Sequence, residues 1–177
     1  MKVVIVNGMP TSGKTTFENL CLDKLGSYGY IYSSIDFVKE IAKKCGWDGS
    51  KTPQNRKFLS DLKDLLTEWG DVPMKSIEKE IKRIEWEFTS FDMSTDKVVL
   101  FVDIREPWEI QKAKENFNAR TLIVRRTAIE NNELSNHADK EVLNYDYDEE
   151  IWNEGTIEDL DKRASYFLNN LLGTDKY

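Results

Sequence analysis

The order of apolar and polar positions along the chain predicts an alternation of short strands and helices. Apolar runs with the length and composition of buried strands cover Lys2–Val6, Tyr30–Ser33, Val98–Val102, Thr121–Val124 and Glu150–Trp152. Segments with apolar residues at helical spacing lie between these runs. Such an alternation is typical of a parallel sheet with helices on both faces, which binds ligands beyond the carboxyl ends of its strands. The pattern therefore predicts an α/β fold.

Two long helical patterns lie between the second and third predicted strands, within the segment 36–96. One face of the first carries Phe58, Leu59, Leu62, Leu65, Leu66 and Trp69, and one face of the second carries Ile77, Ile81, Ile84, Phe88 and Phe91. Stripes of this kind are typical of helices that pack against a core. We therefore expect both stripes to be packed and assign no chemistry to them.

The last helical pattern begins with a variant of the capping box. Thr156 stands at the expected N-cap, and Asp159 takes the place of the usual Glu or Gln at the third helical position. The helix then presents one apolar face, formed by Leu160, Ala164, Phe167, Leu168 and Leu171.

Length and charge restrict the classes of function. With 177 residues, of which 40% are hydrophobic, the chain can bury one substantial core, and we expect one domain, 1–177. The net charge of −7 argues against a nucleic-acid partner, so bound phosphate must be held by local cations. The 2 cysteines have no disulfide or zinc pattern, which indicates a cytoplasmic protein. No run approaches membrane-spanning length, so we expect no membrane partner; the oligomeric state stays open.

The most specific motif directly follows the first predicted strand. Residues 8–15 read Gly-Met-Pro-Thr-Ser-Gly-Lys-Thr and fit the phosphate-binding pattern G-x-x-x-x-G-K-[ST]. In such a loop, backbone N–H groups and the lysine bind phosphate, and the hydroxyl after the lysine ligates Mg²⁺. The alternative is a glycine turn without a ligand. The motif predicts ATP and Mg²⁺ as cofactors, bound through Gly8, Ser12, Gly13, Lys14, Thr15 and Thr16.

An acid ends the third apolar run. The Asp103 carboxylate can hold Mg²⁺ together with Thr15, or it can cap the next helix. Arg105, two residues later, can clamp a transferred or accepting phosphate. Its alternative is a surface ion pair with Glu106 or Glu109. Lys14 and Asp103 are the first two candidate catalytic residues.

Further candidates for binding a phosphate acceptor lie near and within the insertion. Asp36 follows the second predicted strand and begins a helix that contains Lys39. Its carboxylate can accept a hydrogen bond from an acceptor, or it can cap its own helix. Arg56, beside Lys57 at the start of the next helix, can meet an acceptor phosphate or be solvated. The predicted acceptor-binding set is Asp36, Lys39, Arg56 and Arg105.

An arginine pair follows the fourth predicted strand. Arg125 and Arg126 precede a polar stretch, 127–140, that contains the only histidine, His137. A segment bearing arginine suits phosphoryl transfer, because it can neutralise the transferred group and exclude water. We expect at least one of the two arginines to face the nucleotide, and we expect His137 to lie in an exposed loop.

In their order, these motifs resemble the P-loop nucleoside monophosphate kinases, most closely the phage-type deoxynucleoside monophosphate kinases and the related phosphomevalonate kinases. The resemblance rests on the phosphate loop, Asp36, Asp103-Ile104-Arg105, Arg125-Arg126, Asn136-His137-Ala138-Asp139, Asp146-Tyr147-Asp148 and Asn153-Glu154-Gly155-Thr156. It implies a three-layer α/β/α P-loop kinase fold with strand order 2-3-1-4-5. It also implies a helical acceptor-binding insertion at 36–96 and a lid at 125–145. Asn153 and Gly155 would lie beside adenine, and Arg125 or Arg126 would be the catalytic lid arginine.

These observations lead to one functional hypothesis with several alternatives. The chain would move the γ-phosphoryl group of ATP to a small phosphorylated acceptor, a (deoxy)nucleoside monophosphate. The alternatives are a phosphomevalonate-type metabolite kinase, a kinase of hydroxymethylated bases in DNA, and a nucleotide-binding regulatory switch. The sequence leaves the identity of the acceptor open.

Overall fold

The computed structural model describes residues 1–130 and 141–177. Its centre is a five-stranded parallel sheet with the order β2-β3-β1-β4-β5. The strands are β1 Lys2–Gly8, β2 Gly29–Ser33, β3 Val99–Asp103, β4 Arg120–Arg125 and β5 Glu149–Trp152. Every predicted run forms a strand, and the bounds move by one or two residues. The predicted α/β class and the strand order are confirmed.

Helices cover both faces of the sheet. They are α1 Lys14–Leu25, α2 Asp36–Lys44, α3 Pro53–Gly70, α4 Val72–Ser90, α5 Pro107–Phe117, α6 Thr127–Glu130 and α7 Ile157–Leu172. On one face, α1 and α7 share a buried apolar cluster with side chains of β1, β3 and β4, among them Val4, Phe101 and Val124. Alternate residues of a strand point to opposite faces. Ile5, the neighbour of Val4, is therefore buried on the other face, where α5 packs against β1 and β4.

The described residues form two compact units. The first consists of Met1–Ile31 and Ser94–Tyr177, and it contains α1, α5, α6 and α7 with most of the sheet. The second consists of Tyr32–Met93 and contains α2, α3 and α4. The lid expected at 125–145 includes residues 131–140, so that part of it, with His137, lies outside the described residues.

The capping box at the start of α7 is confirmed. The Thr156 hydroxyl accepts a hydrogen bond from the Asp159 backbone N–H, and the Asp159 carboxylate accepts one from the Thr156 backbone N–H. The five apolar residues expected on one face, Leu160, Ala164, Phe167, Leu168 and Leu171, are all buried. The helix therefore begins where its sequence signal stands and packs its predicted face.

The expectation that both stripes in the 36–96 segment are packed is wrong for part of α3, which contacts α2 and α4 but leaves three of its six stripe residues exposed. No residue of α3 is buried, and Leu65 and Trp69 are 61% and 80% exposed. At the end of the second stripe, Phe91 is also exposed, whereas Ile77, Ile84 and Phe88 of α4 are buried. A small helical unit has too little interior to cover every apolar face. In this unit, α4 provides most of the buried side chains.

No helix in the ranges 1–130 and 141–177 has both the length and the apolar character needed to cross a membrane.

Candidate functional site

The phosphate loop joins β1 to α1 through two residues in left-handed backbone conformations. Thr11 has a φ of 66°, and Gly13, the N-cap of α1, has φ and ψ of 97° and 10°. The N-cap residue of α1 is a glycine, which offers no side-chain acceptor to the N–H groups of the first turn. The first N–H groups of a helix have no partner within the helix and carry partial positive charge. The loop therefore presents the features of an anion site.

Contacts within the protein favour glycine at both glycine positions of the loop, and the φ of 97° favours it further at Gly13. A Cβ on Gly13 would lie 2.2 Å from Nδ2 of Asn153. A Cβ on Gly8 would lie 2.6 Å from Oγ of Ser12 and 2.8 Å from the carbonyl oxygen of Val124. Real Cβ atoms do not approach so closely. The loop thus takes its shape from its own neighbours in β4 and in the segment after β5, as well as from its backbone angles.

A cavity of about 420 Å³ lies against this loop. Its lining combines the loop with three side chains from elsewhere in the first unit. The lining residues are Gly8, Met9, Pro10, Thr11, Gly13, Lys14, Thr15, Thr16, Arg105, Arg126 and Asn153. The structure thus brings Arg105, Arg126 and Asn153 to the phosphate loop, although they are far from it in sequence.

Two predicted nucleotide contacts do not line the cavity. Ser12 is buried, and its carbonyl oxygen accepts a hydrogen bond from Nδ2 of Asn153 at 2.9 Å. Its hydroxyl is buried without a partner among the described residues. Gly155 is exposed, and a Cβ there would meet the Asp159 carboxylate at 2.5 Å. Gly155 therefore permits the capping box of α7.

Lys14 binds two carboxylates in the structure. Its Nζ donates to Oδ1 of Asp103 at 2.6 Å and to Oε2 of Glu18 at 3.1 Å. Asp103 ends β3, and the N-cap of α5 is Glu106, so Asp103 does not cap that helix. Asp103 is therefore tied to the phosphate loop by the loop's own lysine.

Sequence reasoning missed Glu18. It lies one helical turn after Lys14, and it is only 1% exposed, between the buried residues Phe17 and Cys21 on the same helix. Burial, together with the neighbouring Asp103 carboxyl group, raises the pKa of Glu18 from its ordinary range to about 8, while Lys14 opposes the shift. An acid inside the apolar stripe of α1, four residues after the loop lysine, was the signal that could have identified it.

The two predicted lid arginines have different environments. The Arg125 guanidinium donates to both carboxylate oxygens of Glu130 at 2.9 and 2.7 Å and to Glu150 at 2.9 Å. It also lies over the Trp152 ring, 4.5 Å from the centroid. Hydrogen bonds from Arg125 to Glu130 raise its pKa above the ordinary value. Arg126 instead is exposed and lines the cavity at the phosphate loop.

A buried asparagine, also missed from the sequence, connects the loop to Arg105. Oδ1 of the Asn7 side chain accepts from the Gly8 N–H at 2.8 Å, and its Nδ2 donates to the Arg105 backbone carbonyl oxygen at 3.3 Å. The same Nδ2 donates to the Tyr147 hydroxyl at 3.0 Å, and that hydroxyl donates to the Val142 carbonyl oxygen. Asn7 thus positions the backbone that carries Arg105 relative to the phosphate loop.

Three of the four predicted acceptor-binding residues lie in the second unit. Asp36 is the first residue of α2, and it pairs with Lys39 at 2.9 Å; the N-cap is Ile35. Arg56 is exposed in the first turn of α3. Arg105 belongs to the first unit and lines the cavity there.

The second unit has its own cavity, of about 450 Å³. Its lining contains two aromatic rings, three cations and two acids: Tyr32, Phe37, Glu40, Val72, Lys75, Ser76, Lys79, Glu80 and Arg83. Lys75, Lys79 and Arg83 follow one another at four-residue spacing on α4, and Arg83 is paired with Glu80 and Glu87. Asp36, Lys39 and Arg56 are not part of this lining.

The candidate metal site offers two protein ligands, Thr15 and Asp103. In residues 1–130 and 141–177, no group of three or more His, Cys, Asp or Glu side chains could hold a metal ion. The Thr15 hydroxyl lines the cavity, and the Asp103 carboxylate contacts Lys14 beside it.

No protein-family model matches the sequence, and no curated protein matches it either. Solved structures do match. A "putative kinase" from Chloroflexus aurantiacus has 10% identity and a TM-score of 0.49, with 96% of both chains covered. A sugar kinase from Janibacter sp. HTCC2649 has 18% identity and a TM-score of 0.47, covering 98% of this chain and 97% of that one. TT1252 from Thermus thermophilus has 20% identity and a TM-score of 0.44, covering 96% and 97%. At such low values, the activity of this chain must be argued from its own residues.

Proposed function

We propose that this chain is an ATP-dependent phosphotransferase that acts on a small phosphorylated acceptor. The observation that carries the proposal is the cavity at residues 8–16, where the phosphate loop, Arg105 and Arg126 share one lining and Lys14 contacts Asp103. A glycine turn without a ligand does not require a lysine and two arginines at one opening. A triphosphate does, because its charge must be neutralised locally in a chain whose net charge is −7.

The residues at this cavity fit ATP and Mg²⁺. Thr15 and Asp103 offer a hydroxyl and a carboxylate, which are the hard oxygen donors that Mg²⁺ takes in kinase sites along with phosphate oxygens and water. Bound Mg²⁺ would neutralise charge on the phosphates. Lys14, the N–H groups at the start of α1, Arg105 and Arg126 would bind and orient the phosphate chain. Asn153, which lines the same cavity, is the candidate contact to the base.

Catalysis in this proposal consists of positioning and electrostatic stabilisation. Phosphoryl transfer needs the acceptor oxygen in line with the transferred group and positive charge around the equatorial oxygens. Lys14, Arg105 and Arg126 supply three positive charges at one cavity. Arg126 is the better candidate for the catalytic arginine, because Arg125 is already bonded to Glu130 and Glu150.

The cavity of the second unit is the candidate acceptor site. Tyr32 and Phe37 offer aromatic surface to a flat ring, and Lys75 and Lys79 offer charge to a phosphate. A nucleoside monophosphate has both groups, and phosphomevalonate has no ring. The aromatic lining therefore supports a (deoxy)nucleoside monophosphate over the metabolite alternative.

Nucleotide binding is tested by thermal denaturation with and without MgATP. A ligand that binds only the folded state adds about 2.7 kcal/mol at 100 times its Kd, enough for a Tm shift of several degrees. Lys14→Ala should remove most of that shift. Lys24→Ala, a lysine on the same helix that pairs with Asp161, should keep it. If millimolar MgATP leaves the wild-type Tm unchanged, the proposal fails.

Acceptor use is tested by measuring ATP consumption with a panel of acceptors, which contains deoxynucleoside monophosphates, ribonucleoside monophosphates and phosphomevalonate. A nucleoside monophosphate should stimulate consumption, and Lys79→Ala should raise its KM roughly tenfold or more, since a charge-assisted phosphate contact is lost. Lys57→Ala in the same unit, whose ammonium pairs with Asp61 outside the cavity, should behave as the wild type. Stimulation by a protein partner and by no small acceptor would favour the regulatory switch.

A further inference from the structure

Glu18 is an acid at a buried position where an apolar side chain would cost less free energy of folding. It is 1% exposed on the buried face of α1, and its Oε1 has no hydrogen-bond partner among the described residues. Taking a carboxyl group out of water costs free energy that a single contact rarely recovers. Stability alone therefore gives no reason for an acid at this position, and its other oxygen contacts Lys14.

The two acids that accept hydrogen bonds from Lys14 differ in how easily a phosphate oxygen could take their place. An ammonium group has three N–H donors, and here one is directed to Asp103 and one to Glu18. The Asp103 side chain is 28% exposed at the end of a strand, whereas the Glu18 side chain is enclosed one turn along the helix of Lys14 itself. Neither acid lines the cavity, whereas Lys14 does. A phosphate that binds Lys14 there should replace the partly exposed Asp103 more readily than the enclosed Glu18.

We propose that Glu18 is a positioning residue for Lys14. It keeps one N–H of the ammonium group fixed, so that the other donors point into the cavity when the bond to Asp103 is exchanged for one to phosphate. The inference rests on the proposed function for the identity of the phosphate ligand. It adds a residue that the phosphate-loop motif does not contain.

The test compares three variants with the wild type. Glu18→Met removes the acceptor and keeps a long unbranched side chain. Glu18→Gln keeps an oxygen that can accept from Lys14. Glu149→Met removes another partly buried acid, on β5, which pairs with Arg120 and lines neither cavity. For each protein, Tm, the Kd for metal-free ADP by calorimetry, and kcat and KM for ATP consumption are measured. Slow hydrolysis serves as the activity if no acceptor is found.

Glu18→Met should separate turnover from stability and from binding. We expect kcat to fall roughly ten- to a hundredfold, because a charged hydrogen bond that aligns the lysine is lost. The ADP Kd should change less than about threefold, since a misaligned ammonium still attracts phosphate. The Tm should stay or rise, because the buried acid is replaced by an apolar side chain. Glu18→Gln should restore most of kcat, and Glu149→Met should leave kcat unchanged whatever its Tm.

Other outcomes overturn the inference. An unchanged kcat in Glu18→Met, or a loss of kcat that follows a loss of Tm, would leave Glu18 without a positioning role. Equal losses in kcat and ADP affinity would make Glu18 a binding determinant. If Glu18→Gln is as slow as Glu18→Met, an oxygen that accepts from Lys14 does not restore turnover, and the positioning role is excluded. The Lys14→Ala variant distinguishes a failure of the Glu18 inference from a failure of the proposed function. If ADP binding does not depend on Lys14, the proposed function fails; if it does while Glu18→Met is fully active, only this inference fails.

Discussion

Adjacent arginines at the end of β4 have taken different roles. Arg125 holds α6 and β5 together through Glu130, Glu150 and the Trp152 ring. Its neighbour Arg126 is exposed at the phosphate cavity. The sequence presents them as one basic pair. Only the direction of each side chain at the end of the strand separates a structural cation from a candidate catalytic one.

This difference predicts opposite effects of two similar substitutions. Arg125→Ala should lower the free energy of unfolding by about 1–3 kcal/mol, because it leaves Glu130 without its bidentate partner. Arg126→Ala should leave stability within about 0.5 kcal/mol and lower kcat tenfold or more. Urea denaturation and steady-state ATP consumption provide the two readouts. A stable but inactive Arg125→Ala, together with a fully active Arg126→Ala, would reverse the assignment.

The sequence predicted those residues of the candidate site that belong to one short, continuous motif. Lys14 and Thr15 were found because a strand, a glycine-rich loop and a helix start follow one another directly. Asn7 and Glu18 were missed, because their roles depend on partners that only the fold brings near, such as the Arg105 carbonyl and Asp103. A buried polar residue within an apolar stripe is the signal that both of them share.

The α3 and α4 helices have similarly spaced apolar residues, but these residues are buried to different degrees. Ile77 and Ile84 of α4 are fully buried, whereas Leu65 of α3 is 61% exposed. Periodicity identifies a helix face, but it does not say whether another element covers that face. The helices themselves were therefore predictable, and the burial of α3 was not.

A pair of substitutions measures this difference. Ile77→Ala should cost about 2–5 kcal/mol in the free energy of unfolding, because it removes buried methyl groups and leaves a cavity. Leu65→Ala should change the same quantity by less than about 1 kcal/mol, since most of its side chain is already in contact with water. Both values come from chemical denaturation followed by circular dichroism. A loss of 2 kcal/mol or more at Leu65 would show that α3 is covered in solution.

Across the molecule, the alternation of apolar runs was sufficient for the fold class, because parallel strands joined by helices have few arrangements. The strand order came from the resemblance and is confirmed. The two compact units were not predicted as such, since composition does not change at Tyr32 or at Met93. The lid and the single-domain organisation stay predictions.

The two cavities lie in different units, which predicts separate ligand footprints. In hydrogen exchange, nucleotide should protect backbone amides of the first unit, beginning with the loop and the first turn of α1. A nucleoside monophosphate should protect amides of α2 and α4 in the second unit. Lys14→Ala should remove the first effect and keep the second. Protection by ATP that appears only in Tyr32–Met93 would contradict both site assignments.

The amide of Asn153 limits how the phosphate loop can be redesigned. It occupies the space that any side chain at position 13 would need, while bonding the carbonyl oxygen of Ser12. A combinatorial library of the loop alone should therefore be enriched in glycine at position 13, because any other residue must displace the Asn153 amide as well as adopt this backbone conformation. Libraries that also vary Asn153 would relieve that clash and leave only the backbone preference set by the φ of 97°. Engineering a new ligand preference into this loop is thus a problem of two sites that lie at opposite ends of the chain.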